Sequence, residues 1–144
     1  MDIYLLLRRL SWDTPEETKQ AAMRELEQLD EDKFSVLLQP NGKGCWENAA
    51  IILKRIGYPR IRKIIPGLFE WLQDINWPGT DIVIDILANI DKKEILPYIE
   101  NYLIKAAKEN DDPWITGIKQ LVVAMDLTQS DFSSIEIYKI LELG

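Results

Sequence analysis

The clearest signal in the sequence is an apolar stripe between residues 61 and 72. Apolar side chains recur there at spacings of three and four residues, which places them on one face of a helix. Because proline lacks a backbone N–H and crowds the preceding turn, we expect Pro66, which lies off the stripe, to kink or divide this helix. The members of the stripe are Ile61, Ile64, Ile65, Leu68, Phe69 and Leu72.

Apolar positions also recur along the chain with a step of 34 residues, as in Leu53, Leu87 and Leu121. The segments Ile64-Ile65-Pro66 and Ile95-Leu96-Pro97 correspond at the shorter step of 31 residues. Each unit therefore reads as a helix, a short turn and a proline-bearing helix, and such hairpins must stack to bury their apolar faces. The other positions related by the longer step are Trp46, Thr80 and Trp114; Ala49, Val83 and Gly117; Ala50, Ile84 and Ile118; and Ile56, Ile90 and Ala124.

These patterns predict an all-α fold of stacked antiparallel helical hairpins, HEAT-like or α-solenoid-like. At 144 residues the chain has the length of one domain, so we assign residues 1–144 to a single helical-repeat domain. The repeat core is expected at residues 45–126 and a C-terminal helix at residues 131–143. The helices within residues 1–38 fit the repeat less well.

One segment permits a different interpretation. Residues 81–87 are rich in β-branched side chains and resemble a strand. Their counterparts around Leu53 and Leu121 are helical, and a lone strand would have no partner, so we predict a helix here too.

Local signals predict where some helices start and end. Thr14, Pro15 and Glu17 are typical of a helix start with a capping threonine. Gly57 is typical of a helix end. Asp112, which precedes Pro113, is expected to cap another helix start.

Several segments resemble one family. They run from Gln39 to Trp114 and include the distinctive sequence Glu-Trp-Leu-Gln-Asp-Ile-Asn-Trp-Pro at residues 70–78. They resemble a bacterial family known only as domain of unknown function 5071, whose members look like HEAT-type helical hairpins. The resemblance implies an α-solenoid-like fold, and it implies no activity and no site. The other matching segments are residues 45–50, 56–59 and 111–114.

The composition argues against most catalytic chemistry. The chain has no histidine, which removes histidine-assisted nucleophiles and most zinc and non-haem iron sites. Cys45 has no imidazole to activate it and reads as a small apolar residue at a helix start. The glycine-rich residues 41–44 lack the spacing of a phosphate-binding loop. We therefore expect no catalysis, no cofactor and no metal.

Cysteine usage and hydropathy predict a cytoplasmic protein. A single cysteine cannot form an internal disulfide, and no Asn-x-Ser/Thr sequon is present. The amino terminus is a poor export signal, and no apolar run reaches the length that spans a bilayer. We expect no membrane partner.

Charge is unevenly distributed along the chain. The formal net charge is −7, yet residues 45–79 carry five bases against three acids. The five bases, here called the basic segment, could follow a phosphate backbone, which makes nucleic-acid binding or processing one alternative function. Against it, the overall negative charge repels nucleic acid. The basic segment consists of Lys54, Arg55, Arg60, Arg62 and Lys63.

Acidic residues dominate the first helices, and several complement helix dipoles. The remainder could form a negative surface that steers a basic partner. An immunity-type protein that neutralises a basic bacterial toxin is therefore a second alternative. The primary prediction is a non-catalytic module that binds another protein.

The segment from Trp71 to Pro78 is the second candidate interaction surface. We expect Trp71, at the edge of its apolar stripe, to be partly exposed. Asp74 and Asn76 are expected to organise the turn between two hairpins through backbone hydrogen bonds, with Trp77 as its anchor. The alternative is that Trp71 and Trp77 flank a binding site. Trp46 and Trp114 occupy equivalent repeat positions, which favours packing between hairpins.

Overall fold

Every regular element of the chain is helical, as the apolar periodicity predicts. The computed structural model describes residues 1–144 and contains no β-strand, and residues 81–87 are part of a helix. The α-helices are α1 (Ile3–Arg8), α2 (Glu16–Leu26), α3 (Trp46–Ile56), α4 (Ile65–Trp71), α5 (Thr80–Ala88), α6 (Lys92–Lys108), α7 (Asp112–Ala124) and α8 (Ile135–Lys139). Short 3-10 helices occupy Glu31–Leu37, Lys43–Cys45, Arg62–Ile64, Gln129–Asp131 and Ile140–Leu143.

The helices pack as hairpins, but in a different phase from the one predicted. The sequence register pairs α3 with α4 and α5 with α6, whereas among the consecutive helices from α3 to α7 the packed pairs are α4 with α5 and α6 with α7. A repeat defines its period and leaves open where the packed unit begins, since both phases have the same apolar pattern. The predicted hairpin architecture is confirmed, and the predicted pairing of helices within it is wrong.

Helices α3, α5 and α7 form a row, since α3 packs on α5 and α5 packs on α7. Gly79, just before α5, lies against the Trp46 carbonyl at the start of α3. Lys54 and Asp85 form an ion pair near the other ends of the same two helices. Helices α3 and α5 are therefore parallel, and their N-termini share one edge of the molecule.

The repeat residues Trp46, Thr80 and Trp114, at the starts of α3, α5 and α7, have the same role. Trp46 donates its indole N–H to the Pro40 carbonyl at 2.6 Å, and Thr80 donates its hydroxyl to the Asp74 carbonyl at 3.0 Å. Trp114 donates its indole N–H to the Phe69 carbonyl at 2.8 Å. Different residue types thus satisfy a backbone carbonyl near each helix start, which explains why this position tolerates both Trp and Thr.

One continuous apolar cluster runs through the molecule from Leu6 to Leu141. Leu53, Leu87 and Leu121, the repeat leucines, are fully buried in it, as is most of the stripe from residue 61 to residue 72. Pro66 lies in the first turn of α4 and separates that helix from the 3-10 turn before it, so the predicted division is confirmed.

Helix α7 approaches the end of α4 closely at Gly117. A Cβ atom there would clash with the Leu72 carbonyl oxygen, so no larger residue fits without a backbone shift. The equivalent repeat positions, Ala49 and Val83, are buried but carry side chains. The glycine therefore reflects a closer helix contact at this end of the row.

Three of the predicted helix boundaries need correction. The start of α2 is capped by the backbone of Pro15, with no side-chain hydrogen bond, so the capping threonine at Thr14 was wrong. Asp111 and not Asp112 caps α7, because the carboxylate one residue earlier reaches the Trp114 amide at 3.1 Å. The C-terminal helix begins only at Ile135 and ends as a 3-10 turn.

Polar contacts hold the C-terminal segment to α6. Glu100 accepts hydrogen bonds from the backbone amide and the hydroxyl of Ser133, at 2.6 and 2.9 Å. Lys92 pairs with Asp131 at 2.8 Å. The segment thereby covers the outer face of the last hairpin. None of the helices combines the length and apolar character that a bilayer crossing requires.

Candidate interaction surface

The predicted site residues lie at opposite ends of α3 and form no common site. Trp46, the first residue of α3, contacts Trp71 and Trp77. Lys54 and Arg55 occupy its last turn. An α-helix of eleven residues rises about 16 Å. We call the end with residues 71–79 and the start of α7 the turn edge, and the end with the basic segment the basic edge.

Trp71 is fully buried, so its predicted exposure is wrong. Its indole N–H donates to the Pro78 carbonyl at 3.1 Å. Its ring meets the Trp46 ring edge-on with centroids 6.2 Å apart, and Gly79 packs against it. These partners come from outside α4, which explains why the stripe of α4 alone misplaces the residue.

Trp77 is half-buried and anchors the turn as predicted. Its ring meets that of Trp46 edge-on, with centroids 5.6 Å apart and an interplanar angle of 85°. Such T-shaped pairs stabilise beyond the burial of their area. Trp46 thus holds both the last residue of α4 and the turn that follows it.

Asp74 organises the turn, and Asn76 takes part only through its backbone. The Asp74 carboxylate accepts a hydrogen bond from the Asn76 amide at 2.8 Å. The backbone carbonyl of Asp74 accepts hydrogen bonds from the Trp77 amide at 3.1 Å and the Thr80 hydroxyl at 3.0 Å. The Asn76 side chain is exposed, so the predicted structural role of that side chain is wrong.

Gly79 closes the turn in a conformation that favours glycine, with φ at 87°. A Cβ atom there would lie 3.0 Å from the Trp71 ring and 3.1 Å from the Trp46 carbonyl oxygen. Both the backbone angle and the space thus require glycine, and the turn edge is rigidly packed behind its surface.

In front of this packed layer lies an open groove of about 500 Å³, formed where the α4–α5 turn meets the start of α7. Ile75, which is 43% exposed, and Leu143, which is 57% exposed, line this groove. We call it the turn groove. Its lining residues are Asp74, Ile75, Asn76, Asp112, Pro113, Thr116, Leu143 and Gly144.

Sequence reasoning found two members of the turn groove, Asp74 and Asn76, and missed the others. Ile75 carried a signal, because it is an apolar residue between two polar ones just beyond the end of α4. Asp112 and Thr116 carried none, because their proximity to the turn depends on how α7 packs.

At the basic edge, four of the five bases are paired with acids. The shortest contacts join Lys54 to Asp85 at 2.6 Å and Arg62 to Glu94 at 3.1 Å. The acids belong to four different elements, and Lys63 is exposed without such a partner. The basic segment is therefore largely neutralised within the chain. The two remaining pairs are Arg55 with Glu27 at 3.2 Å and Arg60 with Glu31 at 3.9 Å.

Aromatic rings further hold two of these guanidinium groups. Arg60 lies over the Phe34 ring at 5.2 Å, and Arg62 lies over the Tyr58 ring at 5.3 Å. Arg62 also donates to the Tyr58 hydroxyl at 2.8 Å. The contact between Arg60 and Phe34 thus connects the loop after α3 to the 3-10 helix Glu31–Leu37.

Hydrogen bonds lower the pKa of two carboxylates at helix ends. Hydrogen bonds from Gln20 and Lys19 lower the pKa of Glu16. Hydrogen bonds from Lys92 and Thr128 lower the pKa of Asp131. No group of three or more acids or cysteines lies close enough together to hold a metal ion.

Fold and surface together define an all-α protein of packed helical hairpins, with a groove at the turn edge that carries two carboxylates without basic partners. The chain belongs to the family described as domain of unknown function DUF5071, whose family model matches residues 38–139 of the 144. This match confirms the resemblance predicted from residues 39–114. It includes α3 to α8 and most of the turn groove. No curated protein and no solved structure matches the chain significantly.

Proposed function

We propose that this protein is a non-catalytic, cytoplasmic, HEAT-like module that binds another protein through the turn groove. The observation that carries the proposal is the combination found there: exposed apolar side chains at Ile75 and Leu143 beside two carboxylates without basic partners. Interfaces combine such apolar contact with charges that select the partner. Behind the groove, the packed turn keeps the surface preformed, which lowers the entropy cost of binding.

The arrangement of ionisable groups supports binding over catalysis. Catalytic acids and bases are tuned by burial or by like charges in a cleft. Here the lowered carboxylate pKa values, at Glu16 and Asp131, arise from hydrogen bonds at the surface. Burial raises the pKa of the Cys45 thiol, which disfavours the nucleophilic thiolate.

The ion pairs of the basic edge support a protein partner over nucleic acid. Affinity for a phosphate backbone depends on many free cations that displace counterions. Lys63 is the one base of the segment without an acidic partner. Neutralisation of a basic toxin remains one specific form of the proposed function, since both charges of the turn groove are negative.

Site-specific photocrosslinking in cells of the source organism tests this function. A benzophenone amino acid replaces Asn76, which is exposed in the turn groove, and in a matched control it replaces Lys63, which is exposed at the basic edge. We expect a discrete protein adduct from position 76 and none from position 63. Equal adducts at both positions, or nucleic-acid adducts at position 63, would contradict the proposal.

A further inference from the structure

We infer that the turn groove receives a lysine or arginine side chain of the partner protein, with an apolar neighbour of that residue against Ile75 and Leu143. This inference rests on the proposed function and deepens it. It assigns the chemistry of the bound segment: a short stretch in which a cation and an apolar side chain are adjacent.

The first argument is the sign of the charges that line the groove. Asp74 and Asp112 are the only charged side chains there, and neither forms an ion pair within the chain. Asp74 offers one carboxylate oxygen to the Asn76 amide, which leaves further acceptor capacity. The nearest cation, Lys119, donates to the Gly144 carbonyl oxygen at 3.5 Å and pairs with neither aspartate, so both carboxylates stay available to a ligand.

The second argument concerns the helix dipole, which opposes a cation at the start of α7. The positive end of a helix is equivalent to about half an elementary charge. The Asp111 carboxylate already accepts a hydrogen bond from the Trp114 amide, so one of the free N–H groups at the start of α7 has a partner. Two full carboxylate charges in the groove outweigh the remaining partial charge. An anionic ligand, the usual occupant of a helix N-terminus, is therefore disfavoured here.

The third argument is the apolar part of the surface, which selects a protein segment over a free metal ion. Ile75 and Leu143 remain largely exposed at the groove, and Pro113 is exposed beside them. A hard cation would need at least six oxygen ligands and would gain nothing from apolar side chains. The long aliphatic stem of lysine or arginine, followed by an apolar residue, uses both parts of the surface.

A titration with three labelled peptides of equal length tests the inference on the full chain. One peptide alternates arginine and leucine, the second alternates glutamate and leucine, and the third alternates arginine and serine. Amide chemical shifts report the binding position, and fluorescence anisotropy reports affinity at physiological salt. We expect the arginine–leucine peptide to bind tightest and to shift the amides of Ile75 and Thr116.

Charge-matched variants separate the groove from the general negative charge of the protein. Asp112→Asn removes a carboxylate that makes no hydrogen bond within the chain, and Asp74→Asn/Asp112→Asn removes both. The control Glu17→Gln/Glu25→Gln removes two exposed carboxylates of α2 that have no basic partner. We expect about fivefold to tenfold weaker binding for the groove double variant and less than twofold for the control.

The outcomes distinguish this inference from the proposed function. Equal weakening by the groove and control variants, or groove shifts with the glutamate–leucine peptide only, would overturn the cationic assignment. Either result leaves a protein adduct at position 76 unaffected. Loss of that adduct, by contrast, overturns the proposed function itself. If Asp74→Asn disturbs the turn, the Asp112→Asn single variant still decides, since it should weaken both arginine peptides and leave the glutamate–leucine peptide no weaker.

Discussion

The two ends of α3 differ in how their charged residues are used. At the basic edge, exposed cations from one short segment are paired with acids from α5, α6, the 3-10 helix Glu31–Leu37 and the residue that follows α2. At the turn edge, Asp74 and Asp112 have no basic partner, and a layer of buried tryptophan lies behind Asp74. The basic edge thus has more charged residues in the sequence than the turn edge, but fewer of its charges are available to a ligand.

This difference shows that a cluster of like charges in sequence is poor evidence for a binding surface. Its partners are contributed by residues far away along the chain, and packing decides whether they meet. Exposed ion pairs stabilise a fold only slightly. They nevertheless neutralise charges that a ligand would otherwise meet.

The largest expected effect lies in the buried layer of the turn edge. Trp71→Ala should lower the free energy of unfolding by about 3–5 kcal/mol, because it opens a cavity and leaves the Pro78 carbonyl without its donor. Thermal or urea unfolding measures the loss. Trp12→Ala is the matched control, since that side chain is 54% exposed and its indole N–H donates to the Glu47 carboxylate, and it should cost about 1–2 kcal/mol. Similar losses for both variants would show that Trp71 does not support the turn.

A smaller effect is expected in the turn itself, where two neighbouring polar residues have different roles. Asp74→Ala should cost about 1–2 kcal/mol, because the Asn76 amide loses its charged acceptor. Asn76→Ala should change stability by less than about 0.5 kcal/mol, since its side chain is exposed. Chemical denaturation of both variants measures the difference. Equal losses would mean that the Asn76 side chain also supports the turn.

Much of the fold could be predicted from the sequence, because helical periodicity is a local property. The stripe from residue 61 to residue 72 and the repeat leucines identify which faces are buried, and the helical counterparts of residues 81–87 decide against a strand. The phase of the hairpins could not be predicted, since α4 has apolar residues that fit either neighbour.

The candidate site was less predictable, because it depends on contacts between elements. Trp71 is buried by Trp46 and Gly79, which α4 does not contain. Asp112 and Leu143 reach the turn groove only through the packing of α7 and the C-terminal segment. The Asp74 turn was predicted correctly because its hydrogen bond spans two residues.

The smallest expected effect lies at the basic edge and sharpens the contrast with the turn. Lys54 and Asp85 pair at 2.6 Å, but their side chains remain 56% and 49% exposed. A double-mutant cycle with Lys54→Met and Asp85→Asn should give a coupling energy of about 0.2–1 kcal/mol, because water screens exposed pairs. In 1 M salt the Debye length falls to about 3 Å, so the coupling should shrink further.

The control cycle joins Asp85 to Lys63, which has no acidic partner, and should show no coupling. A coupling above about 2 kcal/mol for the first pair would mean that the basic edge stabilises the fold as strongly as the Asp74 turn. Its cations would then be structural residues, and Lys63 would be the only base of the segment free to meet a ligand.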